Sequence, residues 1–134
     1  MSKAASIEDI FPLSPLQKGL LFHTLYSPGE GMYFEQLTCE LVGRLDETAF
    51  ADTWRLLVAR HPILRTAFVW KGQSEPRQVV HKTLEMPWQR EDWRAFSPEQ
   101  QQEKLAAFLA PDRKRGFEPN RAPLMRLATL RLSD

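Results

Sequence analysis

Apolar and polar positions change rhythm several times along the chain, and each rhythm predicts an element. Residues 1–6 are small and polar and read as a lead-in. Ile7-Glu8-Asp9-Ile10-Phe11 fits a short extended segment. A helix start follows in Pro12-Leu13-Ser14-Pro15-Leu16-Gln17. Ser14 suits the N-cap, Pro15 the first helical position, and Gln17 the return arm of a capping box. Within that helix Leu16, Leu20, His23 and Thr24 share one side, and Leu21, Phe22 and Leu25 widen the apolar surface. Ser27-Pro28-Gly29-Glu30-Gly31 ends it. From Glu35 to Val42 the period falls to two, with Leu37, Cys39 and Leu41 on one face and Gln36, Thr38 and Glu40 on the other, which predicts a strand. Asp46 caps a second helix, in which Phe50, Trp54, Leu57, Val58 and His61 follow helical spacing until Pro62 stops it.

The segments Arg65–Trp70 and Arg77–His81, joined across Lys71-Gly72-Gln73-Ser74, predict a hairpin. Residues 82–96 read as irregular, with Trp88, Trp93 and Phe96 covering a core edge. Ser97-Pro98-Glu99-Gln100 repeats the capping arithmetic and opens a third helix to about Ala110, with Leu105, Phe108 and Leu109 inward and Pro111 as its end. Leu124–Leu132 has few polar interruptions and predicts a closing strand covered on both faces. The order is helix, strand, helix, two strands, helix, strand, a mixed α/β pattern. A buried strand at the end of the chain predicts that the natural polypeptide continues. Strand edges and apolar surface left uncovered there predict self-association through an edge strand or an apolar face.

Composition narrows the classes. The 134 residues fit one domain or a piece of one, and 43% apolar with 26% charged residues is not a disordered tract. A net charge of +1 gives no basic footprint for nucleic acid. Arg113-Lys114-Arg115 is short, flanked by Asp112 and Glu118, and reads as a solvated loop. No stretch approaches the roughly 20 apolar residues of a membrane span, and the first ten residues lack a signal-peptide core. These features, with the single Cys39, place the protein in the cytoplasm as an expectation.

Individual side chains offer little chemistry by themselves. There is no phosphate-cradling glycine loop and no HExxH pair, and the predicted metal ligand set is none. His23 and His61 on apolar helix faces read as packed core residues, and His81 as half exposed at a strand end. Ser14 before a proline is a cap rather than a nucleophile, and Cys39 alternates inward as a small apolar residue. Nothing assembles a nucleophile, a base and an orienting group.

Three stretches carry a resemblance. Pro12-Leu13-Ser14-Pro15-Leu16-Gln17-Lys18-Gly19-Leu20-Leu21-Phe22-His23 resembles the first core motif of the condensation domains of non-ribosomal peptide synthetases. Arg60-His61-Pro62-Ile63-Leu64-Arg65-Thr66-Ala67-Phe68 resembles the second, RHxxLRTxF. Gly116-Phe117-Glu118-Pro119, followed by Ala122-Pro123-Leu124-Met125-Arg126-Leu127, is similar to the stretch that precedes the active site. The resemblance runs from Ile7 onward, so residues 7–134 read as the N-terminal portion of a condensation domain, incomplete at its C-terminus.

That resemblance implies an α/β lobe like that of chloramphenicol acetyltransferase, a mixed sheet with flanking helices, here in part. It implies two carrier proteins, peptidyl and aminoacyl, each presenting a phosphopantetheine arm, with no cofactor held by the chain itself. It implies the motif HHxxxDG as the catalytic centre. The 134 residues contain no such motif, so no catalytic residue is assigned here and the chain alone is expected to be inactive. Arg60 and Arg65 are implied supports of the active site, at least one reaching the aspartate of that motif in a charge-assisted pair. Read without the family, either arginine pairs locally or faces solvent. Ser14, Gln17 and His23 belong to the first motif without a catalytic role. Ser14–His23 also looks closer to the variant that takes a donor ending in a D-residue. Two other classes stay open: a non-catalytic condensation-like module that docks a carrier protein or neighbouring domain, and a related acyltransferase acting on alcohols, which the RHxxLRTxF match disfavours.

Overall fold

A computed structural model describes residues 6–28 and 33–134. The lead-in up to residue 5 and the Gly29–Gly31 part of the expected helix stop lie outside the described residues. The elements run β1 (Ile7–Pro12), α1 (Pro15–Tyr26), α2 (Glu47–Arg60), a 3-10 turn (Pro62–Arg65), β2 (Thr66–Val69), β3 (Arg77–His81), β4 (Trp88–Asp92), α3 (Pro98–Arg115) and β5 (Leu127–Arg131). β1, β3 and β2 form an antiparallel sheet with β3 in the middle. β4 and β5 pair in parallel as a second sheet. The α/β class expected from the sequence is the one observed.

Local chemistry sets the helix starts. The Ser14 hydroxyl accepts from the Gln17 backbone N–H at 3.2 Å, and the Gln17 side chain accepts from the Ser14 N–H at 2.8 Å. Ser97 and Gln100 repeat this reciprocal pair at α3, and Asp46 caps α2 through Ala49. The core sits where α1 and the end of α2 meet the antiparallel sheet. Leu13, Leu21, Val58, Ala67, Val79 and Val80 are buried there, and Trp93 is buried beside the second sheet. Gln101 ties α3 to that second sheet, its amide donating to the carbonyls of Trp93 (3.0 Å) and Leu132 (2.9 Å).

Several expectations need correction. Glu35–Val42 forms no strand: among the described residues nothing runs beside it, and alternation makes a strand only where a neighbour supplies the ladder. Cys39 is accordingly exposed, not inward. Residues 88–92, expected irregular, form β4, because pairing with β5 satisfies a backbone that its own polar sequence does not recommend. α3 runs through Pro111 to Arg115. Proline removes one helical hydrogen bond, but the turn beyond it is held from outside by Arg126 and Gln36, and Gly116 ends the helix at φ 56°. β5 starts at Leu127, and its residues are half-buried or exposed rather than covered on both faces. His23 and His61 are exposed. The inward stripe of α1 is Gln17, Leu20, Leu21 and Thr24, one step round from the expected face, while Leu16 and Phe22 face outward.

Candidate functional site

The second motif folds into a heavily bonded junction. The 3-10 turn at Pro62 swings Arg65 inward, and its side chain is only 5% exposed. Its Nε donates to the Val58 carbonyl at 2.9 Å and Nη2 to the Ala59 carbonyl at 3.2 Å. Nη1 pairs with the Glu8 carboxylate and donates to the His81 and Lys82 carbonyls. One guanidinium thus closes the C-terminal end of α2, joins β1 to β3, and meets a counter-charge. A planar fork of fixed donors suits such a junction. Thr66 adds a hydrogen bond to the Pro62 carbonyl at 2.8 Å.

Arg60, five residues earlier, sits in a different setting. It is the last residue of α2 and is exposed, and its guanidinium forms no hydrogen bond or ion pair with the described residues. Of the two arginines read as supports, Arg65 is engaged locally and Arg60 presents a free guanidinium. Gln17 does more than cap: its amide pairs with that of Gln78 at 3.2 Å, tying α1 to β3. His23 lies on the outer side of α1, its ring 6.2 Å from Tyr33 and 5.7 Å from Phe22. The three first-motif residues therefore sit along one helix and do not converge with Arg60.

The third motif supplies a cluster that the sequence did not single out. Arg126 donates from Nε to Asp112 Oδ1 at 2.6 Å, from Nη1 to the Gly116 carbonyl at 2.8 Å and from Nη2 to the Asp112 carbonyl at 2.7 Å. Its guanidinium also lies over the Phe34 and Phe117 rings at 5.2 and 4.3 Å. Gln36 donates to Asp112 Oδ2 at 3.0 Å. Burial opposes the charge on Asp112, but the Arg126 hydrogen bond and charge, with Gln36 and Arg115, outweigh it and hold the carboxyl below its usual value. Arg126 falls inside a motif already quoted, but nothing local ties it to Asp112, fourteen residues earlier, and Pro111, taken as a helix end, concealed the pair.

Beside this cluster an open cleft of about 400 Å3 runs between α1, Tyr33–Glu35 and the end of α3. Its wall is largely apolar, from Leu20, Leu21, Phe68 and Leu124, and Arg113–Arg115 stand at its rim. Among the described residues no group of three or more His, Cys, Asp or Glu is placed to hold a metal ion. No described helix is long and apolar enough to cross a membrane. Among the described residues the site holds no nucleophile–base pair; what it presents is a charge-locked support at Arg65, with the Arg60 guanidinium unpaired at the end of α2.

Comparison with known proteins agrees with the three motifs. The family model for the condensation domain matches residues 7–134. A linear gramicidin synthase polypeptide of Brevibacillus parabrevis is 48% identical over 129 residues, covering 96% of this chain and 2% of that protein. The tallysomycin biosynthesis protein TlmII superposes with a TM-score of 0.69 at 25% identity, covering 93% of this chain and 30% of that one. A four-domain nonribosomal peptide synthetase shares the fold with a TM-score of 0.72 at 15% identity, over 92% of this chain and 9% of its own. The chain thus spans a small part of each protein it matches, and it belongs to the condensation-domain family of the nonribosomal peptide synthetases.

Proposed function

We propose that residues 7–134 are the N-terminal portion of the first lobe of an amide-forming condensation domain, and that they act together with the rest of that domain. In the reaction, the amine on an acceptor phosphopantetheine arm attacks the thioester carbonyl on a donor arm. A C–N bond forms, the C–S bond breaks, the thiol stays on the donor carrier protein, and the amine gives up a proton. The group that takes this proton belongs to an HHxxxDG motif, which these 134 residues do not contain. The chain by itself is therefore inactive, and its part is support: it holds the loop bearing the motif and one wall of the substrate passage.

The free guanidinium of Arg60 carries this reading. A carboxylate brought to the end of α2 finds there an unpaired cation on a helix end held rigid by Arg65, a favourable setting for a charge-assisted pair. Arg65 is buried and already bonded, so the reach toward the motif's aspartate falls to Arg60. Ser14–His23 favours a donor ending in a D-residue. The protein works in the cytoplasm with aminoacyl and peptidyl carrier proteins.

The test is a condensation assay with loaded donor and acceptor carrier proteins, D- and L-ended donors run in parallel. It compares the polypeptide extended past Asp134 with the 134-residue chain. Amide product from the extended polypeptide alone, faster with the D-donor, is expected. Carrier binding without product from the extended polypeptide would overturn the reading and identify a docking module instead.

A further inference from the structure

Gly116–Leu127 carries the third motif, and one side chain ties its two ends together. Arg126 Nη1 donates to the Gly116 carbonyl, ten residues back, at 2.8 Å. Nε and Nη2 reach the Asp112 carboxylate and carbonyl, so the closed loop is also fixed to the last turn of α3. Inside the loop the Phe117 ring lies under the guanidinium at 4.3 Å and beside Phe34 at 5.4 Å. Closing a loop of this length costs chain entropy, and three directed bonds from one planar fork over an aromatic ring hold it closed.

The closed loop is joined to the other two motifs. The Pro119 carbonyl accepts the Phe68 N–H at 2.8 Å, and Phe68 is the last residue of the second motif. Phe68 lies opposite Gln78 in the β2–β3 ladder, and the Gln78 amide pairs with Gln17 of the first motif. Leu20, Leu21, Phe68, Phe117, Pro119 and Leu124, drawn from all three motifs, share one wall. Arg126 is the side chain that sets the third motif against the other two.

We propose that Arg126 is a positioning residue for condensation: it holds loop 116–126 in the shape that completes the wall along which a thioester arm is aligned. This rests on the reading above of the chain as one wall of the substrate passage. Lysine at this position keeps a charge beside Asp112 but lacks the fork that spans Asp112 and Gly116 together. Loss of alignment lowers the rate of the bound complex rather than carrier affinity.

The experiment measures condensation in the polypeptide extended past Asp134, with loaded donor and acceptor carrier proteins, well below the unfolding midpoint. It uses wild type, Arg126→Lys, Phe117→Leu and Arg121→Lys. Arg121 belongs to the same loop, is 75% exposed and lies 3.6 Å from Glu118, so it is the matched control. Arg126→Lys is expected to lower kcat about tenfold, with KM for both carriers within about twofold of wild type. Phe117→Leu removes the ring beneath the guanidinium, keeps the backbone and arginine donors, and is expected to lower kcat about threefold. Arg121→Lys is expected to change neither constant. A folded Arg126→Lys protein with wild-type kcat overturns the assignment, as does a loss confined to KM or shared by Arg121→Lys. Where Arg126→Lys does not fold, a Phe117→Leu protein with wild-type kcat overturns it. No amide from the wild-type polypeptide overturns the condensation reading itself, whereas an active wild type beside an equally active Arg126→Lys protein overturns the role of Arg126 alone.

Discussion

Arg65 and Leu37 mark two regions built from equally strand-like sequence with opposite outcomes. Around Arg65, β1, β2 and β3 pair edge to edge, α2 closes against them, and one buried guanidinium joins all of it. Around Leu37 the alternation is cleaner, yet no ladder forms and the side chain is 91% exposed. The difference lies in the neighbours. A strand is stable when a partner supplies hydrogen bonds and a face to cover, and its own residues only permit this. The closed region holds itself together, and the open one has no strand beside it among the described residues.

Substitutions in the two regions should therefore differ in kind. The largest effect is expected from Arg65→Ala, which leaves the Val58, Ala59, His81 and Lys82 carbonyls without their buried donor and removes the counter-charge of the exposed Glu8. It should lower the urea-unfolding free energy by about 3 kcal/mol; a change under about 0.5 kcal/mol would mean that water replaces the guanidinium freely. Next is Arg126→Met, which removes the partner of Asp112 and should cost about 2 kcal/mol at neutral pH. The pH dependence follows from the lowered Asp112 carboxyl. Its contribution is complete above the unfolded value of 3.8 and disappears as pH falls through the lower folded value, so the gap between wild type and Arg126→Met should close in acid. A gap constant from neutral pH to acid would remove Asp112 from the cluster. Ser14→Ala breaks one arm of the α1 capping box and should cost about 1 kcal/mol. Leu37→Ser should be smallest, within about 0.5 kcal/mol for the 134-residue chain; a larger loss would place Leu37 in a core.

Much of the closed region was legible in the residues, because its signals are local. Ser14 with Gln17 and Ser97 with Gln100 write two helix starts within four residues each, and Asp46 and Pro62 bracket α2. The hairpin between β2 and β3 followed from Lys71–Ser74, and the RHxxLRTxF motif marked its entry. What the sequence concealed depends on residues far apart. β4 exists because β5, 39 residues on from Trp88 to Leu127, pairs with it. α3 passes Pro111 because Arg126 and Gln36 grip Asp112 from two other segments. The exposure of His23 and His61 reflects which face of each helix found a neighbour, and apolar spacing alone does not choose between adjacent faces. Of the candidate site, the motifs gave Arg60 and Arg65 together; only the fold separated the buried one from the free one.

That separation is the central claim, and one comparison tests it most directly: condensation rate and unfolding midpoint measured together in the extended polypeptide for Arg60→Ala and Arg65→Ala. Arg60→Ala is expected to keep the wild-type midpoint and lose condensation about tenfold or more, as removal of a charge-assisted bond in the active form requires. Arg65→Ala is expected to lose midpoint and rate together. An Arg60→Ala protein with wild-type condensation, or one whose lost rate is matched by an equally lost midpoint, would contradict the division between a free arm and a buried strut.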